Sequence, residues 1–156
     1  MSTDFLKARF ILLADDDDDD TMLFVEATEQ ISSKVNVTLA KDGQELMNML
    51  NASSKPDIIF LDLNMPKKSG LECLGAIRSD SNLDNTPVVI YSTSQGRKDI
   101  DACFHGGANH YIVKPYDFED IISILKKLFE EIDNMKQLKP SRDRFVINPG
   151  RSSIKN

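Results

Sequence analysis

Asp15 and Asp16 follow one short apolar run, Phe10 to Ala14, and Asp62 follows another, Ile58 to Leu61. Ser92, Thr93 and Ser94 follow a third, Val88 to Tyr91, and Lys114 follows a fourth, Tyr111 to Val113. Three carboxylates, a hydroxyl and an ammonium form a set with chemical meaning. Crowded carboxylates repel one another unless a cation neutralises them. Hard oxygen donors that leave positions for water suit Mg²⁺. A lysine and a hydroxyl beside such a cation supply the charge and donors that phosphoryl oxygens need. Taken singly, each residue has a plainer role. An Asp after a strand is commonly a helix cap, the role expected of Asp42 and Asp117; a lone Lys is a surface residue and a lone Ser a turn residue. Four strand ends that supply complementary groups favour the site. Asp17 to Asp20, the rest of a run of six Asp, read as solvated charge in the first turn of a helix. Negative charge there is favourable by ~0.3–1 kcal/mol each before mutual repulsion.

The elements that must position these residues alternate. The four apolar runs are short and continuous, as in strands buried on both faces. Val35, Val37 and Leu39 alternate with Asn36 and Thr38, which suggests a fifth strand at a sheet edge. Between the runs the period changes to that of helices. Met22, Leu23, Val25 and Ile31 mark one helix face, and Leu46, Met47, Met49 and Leu50 a second. Leu71, Leu74 and Ile77 mark a third, and Gln95 to Phe104 a fourth that Gly106-Gly107 stops. Ile121, Ile122, Leu125, Leu128, Phe129 and Ile132 line the fifth. Strands alternating with helices predict an α/β fold with a doubly wound, five-stranded parallel sheet. Ligands of such sheets bind beyond the carboxyl ends of the strands, where the acids and Lys114 fall.

Composition agrees with one globular unit. The chain has 156 residues, with 40% hydrophobic and 28% charged. A net charge of −6 argues against a nucleic-acid binder, which needs a basic face, so no direct DNA binding is expected. No apolar run approaches the ~20 residues of a membrane span, and no secretory leader is visible, so a cytoplasmic protein without membrane contact is expected. Cys73 and Cys103 have no metal-site spacing and read as buried structural thiols in a reducing compartment. After Ile132 come Lys139, Arg142, Arg144, Arg151 and Lys155. A loose tail is the default expectation. The apolar Phe145-Val146-Ile147 makes a packed or partner-bound extension the alternative.

Asp15-Asp16, the stretch Phe60-Leu61-Asp62-Leu63-Asn64-Met65-Pro66 through Gly70, Ser92, and Tyr111-Ile112-Val113-Lys114-Pro115 together resemble the receiver domain of two-component response regulators, of the stand-alone type. The resemblance implies a flavodoxin-like strand order 2-1-3-4-5, a receiver domain over residues 1–138 and a tail over 139–156. It implies that Asp62 is the phosphoacceptor, and that Asp16, Asp62 and the Asn64 carbonyl ligate Mg²⁺, with Asp15 acting through water. Lys114 would contact the phosphoryl group, Ser92 would be the switch hydroxyl, and Tyr111 the aromatic that turns inward with it. Pro66 and Gly70 would shape the loop after Asp62. The implied function is a phosphoacceptor switch rather than an enzyme that releases a product. Its donor would be a sensor histidine kinase or histidine phosphotransfer protein, its output a remodelled surface for a downstream protein, with a homodimer possible on the face of the fourth and fifth helices.

Three rivals are weaker. Haloacid-dehalogenase-like phosphatases need a second carboxylate two residues after the nucleophile, where this chain has Asn64. Asp15, Asp17, Asp19 and Glu26 match an EF-hand spacing, but the turn there requires Gly where Asp20 stands. An adaptor of the same fold without phosphorylation is the third.

Overall fold

The computed structural model describes residues 9–52, 55–134 and 139–149. Arg151 and Lys155 lie outside the described residues. The apolar runs become strands β1 (Arg9–Ala14), β3 (Ile58–Leu61), β4 (Val88–Ser92) and β5 (His110–Val113). The alternating run becomes β2 (Val35–Ala40). All pair in parallel in the order β2-β1-β3-β4-β5. The expected edge position of the alternating strand is therefore observed, although Leu39 faces outward on it.

Helices α1 (Asp18–Ile31), α2 (Gly43–Ala52), α3 (Gly70–Arg78), α4 (Arg97–His105) and α5 (Phe118–Asn134) connect the strands or close the chain on the sheet. Their starts follow local chemistry. Asp17 caps α1 by accepting from the Asp20 amide, and Asp42 accepts from the Glu45 amide at the start of α2. Ser69 and Glu72 form a reciprocal capping box on α3. Gly106 ends α4, and Gly107 follows with φ +102°, a backbone region that only glycine enters without strain.

The strands separate two apolar cores by the alternation of their side chains. Ile11, Leu13, Phe60 and Tyr91 pack with α1 and α5; Leu12, Ile59, Leu61 and Ile90 pack with α2, α3 and α4. Two helix faces differ from expectation. On α1 the inward residues are Thr21, Phe24, Ala27, Thr28 and Ile31, while Met22 is half exposed. Phe24 fills the space between the rings of Phe60 and Tyr91, at 4.8 and 5.3 Å, and so sets the helix phase. On α3 Cys73, Leu74 and Ile77 are buried and Leu71 is exposed. Cys73 and Cys103 are free, buried thiols as expected, and burial pushes Cys103 up to about 12.

Residues 139–149 are packed rather than loose. Val146 forms a parallel bridge with Tyr111 along the outer edge of β5, and Phe145 and Ile147 are buried.

Candidate functional site

Each strand end is fixed by a hydrogen bond that continues the ladder past the last paired residue. The Asp15 amide donates to Ala40 O (3.0 Å), the Asp62 amide to Ala14 O (2.9 Å) and the Lys114 amide to Ser92 O (2.8 Å). These bonds bring residues from three crossovers to one rim of the sheet. Asp15, Asp16 and Asp62 each offer one carboxylate oxygen within 4.8 Å of the others. Asp15 and Asp62 are buried and Asp16 is exposed.

The carboxylates are held by backbone donors. Asp62 Oδ1 accepts from the Leu63 amide at 2.8 Å, and Asp15 Oδ1 accepts from the Asp17 amide at 3.0 Å. Gly70 lets the loop after Asp62 close behind it. A Cβ there would lie 2.3 Å from Asp62 O, and the Gly70 amide donates to Leu63 O. In the same loop Lys67 takes a positive φ of 69° and the Lys68 amide donates to Pro66 O. Asn64 is exposed at the mouth of this loop.

Lys114 Nζ stands 2.8 Å from Asp15 Oδ2, 2.8 Å from Asp20 Oδ2 and 3.5 Å from Asp62 Oδ2. Burial alone would pull this ammonium down, but the bonds to Asp15 and Asp20 hold it above its ordinary range. Burial dominates at the acids. It pushes Asp15 up to about 6 despite Lys114, and it raises Asp62 against the opposing pull of Lys114. One ammonium thus faces more negative charge than it neutralises. Asp15 Oδ2 is fully buried and its close contact is the Lys114 ammonium, which it shares with Asp20 and Asp62. A buried, under-neutralised set of oxygen donors fits a hard divalent cation, which would be held by Asp15, Asp16 and Asp62.

Ser92 is fully buried, and its Oγ accepts from the Ser94 amide at 3.2 Å. Tyr111 departs from expectation. It is already inside, with no exposed surface, and its hydroxyl donates to Ser94 O at 2.9 Å. The ring of Phe145 lies beside it, centroids 6.2 Å apart. The acidic run also divides differently. Asp18 and Asp19 are solvated, but Asp17 is the helix cap and Asp20 pairs with Lys114. Asp20 and Ser94 are the site residues whose contacts the sequence reading missed. For Asp20 an unbroken run of six Asp offers nothing that singles it out.

A family model described as the response regulator receiver domain matches residues 11–126. The probable methanogenesis regulatory protein FilR2 of Methanothrix harundinacea is 32% identical over 84% of this chain and 87% of its own. Response regulator Rcp1 of Synechocystis is 30% identical over 81% of this chain and 90% of its own. Among solved structures, the phosphorylated cyanobacterial phytochrome response regulator RcpA superposes with a TM-score of 0.74 at 35% identity, covering 81% of this chain and 94% of that one. The Mn²⁺-bound form of Rcp1 gives 0.65 at 31% identity, covering 80% and 88%.

Proposed function

The chain belongs to the response regulator receiver family, and from that membership we propose that Asp62 is its phosphoacceptor in two-component signalling. The carrying observation is the juxtaposition of Asp62 with Lys114 at 3.5 Å and with Asp15 and Asp16, each offering an oxygen within 4.8 Å of the others. The donor is a phosphohistidine on a kinase or phosphotransfer protein, or a small acyl phosphate. Asp62 Oδ2 attacks phosphorus, the bond from phosphorus to the donor atom breaks, and the leaving nitrogen or oxygen keeps the electron pair. A histidine leaving group then takes a proton from water. The product is an aspartyl phosphate.

Ionised Asp62 is the nucleophile, and burial works against that state. Asp15, Asp16, Asp62 and the Asn64 carbonyl would hold Mg²⁺, which would supply the positive charge that favours the ionised acids and offsets charge on the phosphoryl oxygens. The protein's own part is positional. The Leu63 amide fixes one oxygen of Asp62 and leaves Oδ2 facing Lys114. Lys114 shifts its contact from the carboxylates to the phosphoryl oxygens as the P–O bond forms. The new dianion attracts the Ser92 hydroxyl, which gives up its contact with the Ser94 amide. The chain then acts as a switch whose product is an altered surface for a downstream protein.

Intact mass after treatment with acetyl phosphate and Mg²⁺ tests this. One phosphoryl group is expected on the wild type, none on Asp62→Asn, and none when EDTA replaces Mg²⁺. Equal labelling of wild type and Asp62→Asn overturns the assignment.

A further inference from the structure

The family match ends at residue 126, yet residues 139–149 make some of the most specific contacts in the molecule. β5 is the last strand of the sheet, so its outer edge would present unpaired backbone groups. Two of these groups are taken. The Tyr111 amide donates to Phe145 O at 3.1 Å, and the Ile147 amide donates to Tyr111 O at 2.9 Å. His110 Nδ1 also lies 3.1 Å from Phe145 O and must be the protonated ring nitrogen there, since a carbonyl only accepts. The Phe145 ring sits between Phe104 of α4 and Tyr111, and Ile147 reaches the core on the α5 side. Arg142 pairs with Asp101 of α4 and Arg144 with Glu131 of α5. The segment therefore binds as an added strand, with an aromatic anchor in a pocket and a basic residue against each flanking helix.

These contacts reach the phosphoacceptor rim in few steps. Ser94 receives the Tyr111 hydroxyl on its carbonyl and gives its amide to Ser92 Oγ. Tyr111 in turn carries the segment on both its backbone groups. A Ser92 hydroxyl drawn toward a phosphoryl group frees the Ser94 amide and shifts the loop that holds Tyr111. The paired arginines are exposed and weakly held, so they are the first contacts to give, while the buried Phe145 and Ile147 and the two backbone bonds on Tyr111 are what a shift of Tyr111 must loosen.

We propose that the outer edge of β5, between α4 and α5, is a docking groove for an extended basic–aromatic segment, that residues 142–147 are its resident occupant, and that phosphorylation of Asp62 loosens them. The coupling rests on the function proposed above; the occupancy does not. A downstream partner reads the groove by supplying its own strand in place of the displaced one. Because coupling is reciprocal, loosening the segment also favours phosphorylation.

Amide hydrogen exchange on the full chain tests this, with intact mass recorded on the same samples. With Mg²⁺ and acetyl phosphate, exchange at the Ile147 and Tyr111 amides is expected to rise about tenfold, within the usual range of site-to-site coupling, while β1 amides stay protected. Arg142→Glu with Arg144→Glu, which turns both attractions into repulsions, is expected to speed exchange at Ile147 without phosphate and to raise the phosphorylated fraction at equilibrium with a given acetyl phosphate concentration. A fully phosphorylated protein with unchanged Ile147 exchange overturns the coupling alone. Absence of the phosphoryl mass overturns both the function and the coupling. A double variant with unchanged Ile147 exchange overturns the occupancy.

Discussion

Asp15 carries a measurable cost in the metal-free protein. Its side chain is fully buried, and its carboxyl is pushed from 3.8 up to about 6, chiefly by burial. The folded state therefore binds a proton that the unfolded state has released between those two values. Stability from this group is fully present below pH 4 and is lost as pH rises through about 6. The full shift corresponds to about 3 kcal/mol at neutral pH and above. Asp15→Asn removes the charge and is isosteric, while Lys114 keeps Asp20 and Asp62. In EDTA at pH 8 the variant is expected to be more stable than wild type by about 2–3 kcal/mol, or roughly 5–10 °C in Tm. Near pH 4 the two should agree. Burial also depresses His110, whose contribution runs the other way and is lost as pH falls below 6.5; it is common to both proteins and cancels in the difference. Mg²⁺ should stabilise wild type at pH 8 and leave the variant almost unchanged. Urea denaturation at pH 4 and pH 8, with EDTA and with Mg²⁺, gives all of these numbers. A variant less stable than wild type at pH 8 in EDTA refutes the reasoning, because the site would then hold enough positive charge of its own.

The acidic run should separate by position. Asp20→Asn removes one of the carboxylates around Lys114, on the order of 1 kcal/mol for a partly exposed charge beside the site, and is expected to speed labelling by acetyl phosphate about fivefold. Asp18→Asn and Asp19→Asn should stay within about twofold, and equal effects at all three positions would mean that only bulk charge matters. Arg78 is a structural staple whose guanidinium donates to Gly107 O, Leu83 O, Thr86 O and Asn109 Oδ1 at 2.8–3.0 Å. Arg78→Met keeps the stem, removes four hydrogen bonds at a partly buried position and should cost about 3 kcal/mol by urea denaturation; a loss under about 1 kcal/mol contradicts this.

The strand ends were legible because a parallel sheet buried on both faces needs continuous apolar runs, and the residue after each run must emerge at the same rim. That rule alone brings Asp15, Asp62, Ser92 and Lys114 together. Helix phase was less legible. Met22 and Phe24 are both apolar and two residues apart, so hydropathy gives either face. The choice falls to volume, since only the Phe24 ring fills the gap between Phe60 and Tyr91. Asp20 escaped for a related reason. Charge carries no periodic signal in a run of six Asp, and its role depends on Lys114, 94 residues away in sequence. Tyr111 is the sharpest case. Its place in the motif implies an aromatic that moves inward, but in the structure it is buried beside Phe145, far from the motif in sequence. A three-residue apolar run after Pro140 is too short to declare an element. It becomes a strand only because β5 ends the sheet and leaves backbone groups to pair. On the coupling proposed above, what the motif residues do on phosphorylation depends on a segment outside the motif. Any account of this chain's output has to start from the occupied edge of β5 rather than from Tyr111 alone.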